Sequence, residues 1–258
     1  MSDAIQIEKQ GHVALLTLNN PPANTWTEQA LRLFKDIVYD LNSDKSNFSL
    51  VITGQGEKFF SAGADLKLFA GGDMGIASTM SRAFGEAFET LAAYEGVSIA
   101  AINGYAMGGG LECALACDLR IAEEQAVLAL PEAKVGLLPC GGGTQTLTWV
   151  VGEAWAKRMI LCGEQVNAET ALRIGLIDER TEKGASLNKA LAMAEQVANQ
   201  SPSSVSASKK LIMAARNQPM GHAWAGEREA FVALFETEDQ KEGVNAFLEK
   251  RKPEWKNK

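Results

Sequence analysis

A chain of 258 residues, 46% hydrophobic and 22% charged, has ordinary globular composition and enough length for a substantial core, as one large domain or two small ones. Its formal charge of −7 argues against nucleic acid or an anionic membrane surface as main partner, because both need a basic footprint. The scattered Cys113, Cys117, Cys140 and Cys162, with only His12 and His222, lack paired metal-ligand spacing, so no metal site is expected.

Met1-Ser2-Asp3-Ala4 lacks the basic start of a secretory leader, and no apolar run nears the ~18 residues of a membrane span. A cytoplasmic protein with reduced thiols is expected. Residues 5–9 and 13–18 flank Gln10-Gly11-His12 and predict strand, tight turn and strand, which makes His12 a turn residue. Pro21-Pro22 breaks the pattern, and Thr27 caps a helix running to about Leu41. Residues 48–53 predict a buried strand ending at Gly54. The small-residue loop 56–67 reads by itself as a tight turn that needs Gly63, although its small side chains would also let a ligand lie against backbone N–H groups. Residues 70–75 read as mobile, and 78–94 as a helix with Met80, Phe84, Phe88 and Leu91 on its core face.

Ser98-Ile99-Ala100-Ala101-Ile102 reads as a short buried strand, after which Gly108-Gly109-Gly110 release the backbone into an apolar helix opening with Glu112. The unpaired N–H groups at such a helix start suit an anion or a developing oxyanion, and Glu112 places a candidate base beside them. Residues 118–122 and 126–130 continue the strand pattern until Pro131, leaving Glu132 at the edge, where a lone glutamate reads as a surface acid. A second glycine-rich loop, 136–144, precedes a helix of about 145–151. Neither glycine cluster fits a phosphate-binding or dinucleotide motif, so neither points to ATP or NAD.

From residue 153 the pattern is mostly helical, with a short helix closed by Gly175, a strand at 176–178, and helices near 187–199, 204–216, 223–235 and 239–250. Lys250-Arg251-Lys252 reads as a solvated helix end. The strands lie in the first two thirds, which predicts an α/β core followed by a helical region. The strand-then-glycine unit at 50–54 recurs at 100–104 and suits a spiral of similar turns.

In order and spacing, Ser61-Ala62-Gly63-Ala64-Asp65-Leu66, the stretch 103–112 and the stretch 131–139 resemble the crotonase family, and its enoyl-CoA hydratases most closely. The resemblance extends over nearly the whole chain. It implies an α/β fold: a crotonase-type spiral of ββα turns, residues 1–195, that binds acyl-CoA, then a C-terminal helical trimerisation region, 196–258, that also closes the pocket. A homotrimer or dimer of trimers would follow, without nucleic acid or membrane partners.

The resemblance also implies roles by motif position. The N–H groups of Ala64 and Gly109 correspond to the oxyanion hole, and Ala62, Gly63, Ala64, Asp65 and Leu66, with Gly109, to the substrate- and CoA-binding positions. Glu112 and Glu132 occupy both glutamate positions of the hydratases, Glu112 as the water-activating base and Glu132 as the proton donor to C2. Cys140 stands where these hydratases usually have a glycine whose backbone N–H helps to orient the water; a backbone donor survives the replacement. Thr144-Gln145-Thr146-Leu147 likewise lacks the arginine common after Gln145.

The implied reaction is reversible addition of water across the 2,3 double bond of a 2-enoyl-CoA, of the kind used in fatty-acid β-oxidation. It gives a 3-hydroxyacyl-CoA with no cofactor, CoA being part of the substrate. The nearest alternative is an isomerase of the same fold, which shifts the double bond and typically needs one acid–base carboxylate. A serine hydrolase on this fold requires serine, histidine and acid together, and neither His12 nor His222 matches that arrangement. A non-catalytic acyl-CoA-binding or RNA-binding relative has no need for both carboxylates, and the acidic balance disfavours RNA.

Overall fold

The computed structural model describes residues 4–258; Met1, Ser2 and Asp3, from which the absence of a leader was read, lie outside the described residues. β1 (Ile5–Gln10) turns at Gly11 into β2 (Val13–Leu18), an antiparallel pair. His12 is a turn residue as expected, stacked on Phe48 with Nδ1 2.9 Å from the Ser46 carbonyl. α1 (Glu28–Ser43) starts where Thr27 Oγ1 accepts the Ala30 N–H, and its helical spacing buries Leu31, Phe34, Val38 and Leu41.

Three ββα turns follow. The first is β3 (Ser49–Gly54), β4 (Phe59–Ser61) and α2 (Met74–Ala92); the second is β5 (Val97–Ile102), β6 (Tyr105–Met107) and α3 (Gly109–Ala116); the third is β7 (Leu119–Glu123), β8 (Val127–Ala129) and α4 (Gly143–Leu161). Beyond them lie β9 (Val166–Asn167), α5 (Ala168–Arg173), β10 (Glu179–Thr181), α6 (Ser186–Ala198), α7 (Pro202–Ala214), α8 (Met220–Ala233) and α9 (Glu238–Glu249).

The first strand of each turn enters one sheet, ordered β1-β2-β3-β5-β7-β10, and the second enters another, ordered β4-β6-β8-β9. Apart from the β1–β2 and β8–β9 pairs, both sheets are parallel. Parallel strands covered on both sides read as continuous apolar runs, and the alternation here is between two cores. Leu50, Ile52, Ala100 and Ile102 face the large core with α1 and α2, whereas Val51, Ile99 and Ala101 face Ala190 and Ala194 of α6. Gly54 and Gly104 sit where the chain leaves one sheet for the other. A Cβ on either would come within 2.2 Å of a carbonyl oxygen, that of Phe59 or Lys58 respectively.

Several boundaries differ from the sequence reading. Met74 and Gly75, read as the end of a mobile segment, are helical, because Asp73 caps α2 by accepting the Gly75 and Ile76 N–H groups at 2.6 and 3.2 Å. α3 opens at Gly109, so Glu112 lies in its first turn and does not start it. α4 extends well past the expected 145–151, with non-helical backbone at Gly152, and the late strand is at 179–181, where it pairs with β7, instead of 176–178. Among the described residues no helix is long and apolar enough to cross a membrane, and no group of His, Cys, Asp and Glu is placed to hold a metal ion.

Candidate active site

Because β4, β6 and β8 are parallel neighbours, the three loops at their C-terminal ends lie side by side, and these loops are the three sequence motifs. Gly63 has φ +84°, and a Cβ there would meet the Met107 carbonyl at 2.6 Å and the Gly109 nitrogen at 3.0 Å, so only glycine brings the first loop against the second. The second is tied to the third by Gly108 N–H donating to the Ala129 carbonyl at 2.9 Å.

The loops border a cavity of about 650 Å³ whose walls include Ala62, Ala64, Gly109, Glu112, Glu132 and Cys140. Leu66 also lines it, but Gly63 and Asp65 do not. Gly63 makes the close approach described above, and the Asp65 carboxylate caps the short 3₁₀ turn Leu66–Phe69 by accepting the Lys67 N–H at 3.1 Å. Ala62, Gly63 and Asp65 each donate their backbone N–H within the protein. Among the described residues, the Ala64 and Gly109 N–H groups have no protein acceptor. Two backbone donors beside one cavity, one at the positive end of α3, can hold an oxygen that acquires negative charge.

Glu112 is buried, 3% exposed, and its Oε1 accepts the N–H groups of Gly141 and Gly143 at 2.7 and 2.9 Å. Burial raises its pKa above the ordinary 4.5, opposed by the backbone donors of Gly143, Gly141 and Cys140. Glu132 opens the 3₁₀ turn Glu132–Val135 and is half-buried at the cavity wall, not a free surface acid. Its Oε2 is buried without a hydrogen-bond partner among the described residues. Burial, with the nearby Glu112 charge adding to it, pushes its pKa up to about 7. Glu132 therefore gains and loses a proton near neutral pH, the range in which a carboxyl serves as a general acid.

Burial and both carboxylates push the Cys140 thiol up to about 11, so it stays protonated at neutral pH. Among the described residues the non-glycine positions at positive φ are Asn24, Lys250 and Asn257, so replacing glycine by cysteine at 140 needs no left-handed backbone. Sequence reasoning missed the grip of Gly141 and Gly143 on Glu112, although the glycine run before α4 was visible. It also missed the support that Asn24 and Ser61 give the first loop.

The family model described as enoyl-CoA hydratase/isomerase matches residues 8–258. The chain belongs to that family. Among curated relatives, the short-chain-enoyl-CoA hydratase of Clostridium acetobutylicum is 38% identical over 254 residues, covering 96% of this chain and 95% of the relative. The 2,3-dehydroadipyl-CoA hydratase of Escherichia coli is 38% identical over 261 residues, covering 100% of both chains. Among solved structures, that of Pseudomonas aeruginosa DspI superposes with a TM-score of 0.96 at 58% identity, covering 99% of this chain and 97% of that one. The crotonase-type α/β fold expected from the motifs is thus the fold of this family member.

Proposed function

We propose that this enzyme of the enoyl-CoA hydratase type adds water reversibly across the 2,3 double bond of a 2-enoyl-CoA thioester, with Glu112 and Glu132 as its acid–base pair. The thioester oxygen accepts hydrogen bonds from the Ala64 and Gly109 N–H groups, which draws electron density away from C3. Glu112 takes a proton from the attacking water as its oxygen bonds to C3. The resulting enolate collapses as Glu132 delivers a proton to C2, and proton exchange between the carboxyls and solvent resets the pair. The backbone N–H of Cys140, a residue of the same cavity wall, helps to orient the water. Only protein groups and the conjugation of the thioester are used, so the reading calls for no cofactor.

One observation carries this reading: two carboxylates on separate turns face the same cavity as two backbone donors without protein acceptors. The relatives named above are hydratases of differing acyl groups, which supports a 2-enoyl thioester as the class. Incubating the protein with crotonyl-CoA should give 3-hydroxybutyryl-CoA, abolished by Glu112→Gln or Glu132→Gln. Migration of the double bond without hydration would favour the isomerase alternative.

The division into an acyl-CoA-binding spiral, 1–195, and a helical oligomerisation region, 196–258, belongs to the same proposal. α7 buries only Pro202 and α8 buries nothing, while Ile212, Phe231, Phe235, Phe247 and Leu248 are exposed. Apolar area on this scale supports a homotrimer or dimer of trimers. Light scattering should return a mass that is a multiple of three chains. A cytoplasmic location fits the free state of Cys113, Cys117, Cys140 and Cys162.

A further inference from the structure

The backbone donor of Ala64 can act only if the loop carrying it is held in one orientation, and the loop pivots on a glycine. At Gly63 the side-chain terms that normally restrict a peptide plane are missing, so hydrogen bonds must fix it. Its carbonyl accepts the Trp26 N–H at 2.8 Å, and its N–H donates to Ser61 Oγ at 3.1 Å. Ser61 is fully buried, and its hydroxyl donates in turn to the Asn24 carbonyl at 2.7 Å. Asn24 has φ +51° and is itself fastened, its Nδ2 donating to the carbonyls of Phe59 and Gln55 at 2.9 and 3.1 Å. Ala62 N–H donates to Ala23 and Asp65 N–H to Trp26, at 2.9 and 3.3 Å. Residues 23–26 thus form a rail beside 62–65 that accepts the Ala62 and Asp65 amides, Ser61 Oγ holds the Gly63 amide, and that of Ala64 is left for the cavity.

We infer that Ser61 is a positioning residue for catalysis: its hydroxyl, passed between the Asn24 carbonyl and the Gly63 N–H, orients the Ala64 N–H toward the thioester oxygen. The inference rests on the reading of Ala64 as an oxyanion donor. Without the hydroxyl, the Gly63 N–H is buried and unpaired; the 62–63 peptide turns to satisfy it and, through the unrestricted φ of Gly63, carries the adjoining 63–64 peptide and its Ala64 N–H out of line.

The test uses the full-length protein with Ser61→Ala and the near-isosteric Ser61→Cys. Losing one oxyanion donor outright typically costs 10²–10³ in rate, and misaiming one should lower kcat for crotonyl-CoA by roughly 10–10²-fold in Ser61→Ala, with KM little changed. A second readout is the infrared carbonyl stretch of bound butanoyl-CoA, which is saturated and is not hydrated. It should be lowered in the wild type relative to free thioester, less lowered in Ser61→Ala, and intermediate in Ser61→Cys, whose thiol is a weaker donor and acceptor. A folded Ser61→Ala with wild-type kcat and carbonyl stretch overturns the proposal. If that variant does not fold, Ser61→Cys decides on the same two readouts. Absence of any lowering in the wild type would instead sink the reading of Ala64 itself.

Discussion

Glu112→Gln separates chemistry from structure at one buried position. The glutamine carbonyl can keep both bonds that Oε1 now accepts, from Gly141 and Gly143 at 2.7 and 2.9 Å, so the loop before α4 should hold its shape. The amide cannot take a proton from water. General-base catalysis contributes about 10²–10⁴ in rate, and at 1.36 kcal/mol per decade this is about 3–5 kcal/mol of transition-state stabilisation. Stability should not fall, because burial already disfavours the charged form that the substitution removes. The assay follows loss of the conjugated thioester absorbance of crotonyl-CoA, with affinity for butanoyl-CoA measured calorimetrically alongside. The expected result is kcat lowered by at least ~10²-fold at near-unchanged affinity. A folded variant with wild-type kcat would refute Glu112 as the base.

With Glu132 as proton donor, its protonated form is the active one, and its pKa sits at about 7; kcat/KM should therefore fall as pH rises through that value, and fall again at more acid pH as Glu112, the base, takes up a proton. A pH profile flat from 6 to 9 would contradict the role. Gly110→Ala should be poorly tolerated, since its Cβ would lie 2.2 Å from the Ser61 carbonyl oxygen; overpacking of this kind costs about 1–3 kcal/mol, read as a lower Tm. Cys140→Gly should keep hydration within about tenfold of wild type, because the backbone donor is retained and only the thiol at the cavity wall is lost. A larger loss would assign the side chain a part in the chemistry.

The long elements were legible because their signals are periodic: 78–94 placed Met80, Phe84, Phe88 and Leu91 on one face, and α2 buries all of them. β4 and β6 were not, because three residues carry too little periodicity to distinguish a strand from a loop. Yet these short strands align the three motif loops. The third ββα turn escaped the strand-then-glycine signal because β7 ends at Glu123 and passes through Glu124, with no glycine at that crossing. The placement of Glu112 and Glu132 at one cavity followed from motif resemblance, since local pattern alone made Glu132 a surface acid. The grip of Gly141 and Gly143 on Glu112 spans about thirty residues and depends on the packing of α3 against α4, which no local pattern encodes.

Mass analysis of the product formed from crotonyl-CoA in D₂O enriched in H₂¹⁸O tests the central claim most directly. The proposed mechanism predicts a 3-hydroxybutyryl-CoA carrying one ¹⁸O at C3 and one deuterium at C2, with neither label acquired when Glu112 or Glu132 is replaced by glutamine. Deuterium without ¹⁸O in the product, or no product despite measured thioester binding, would contradict it.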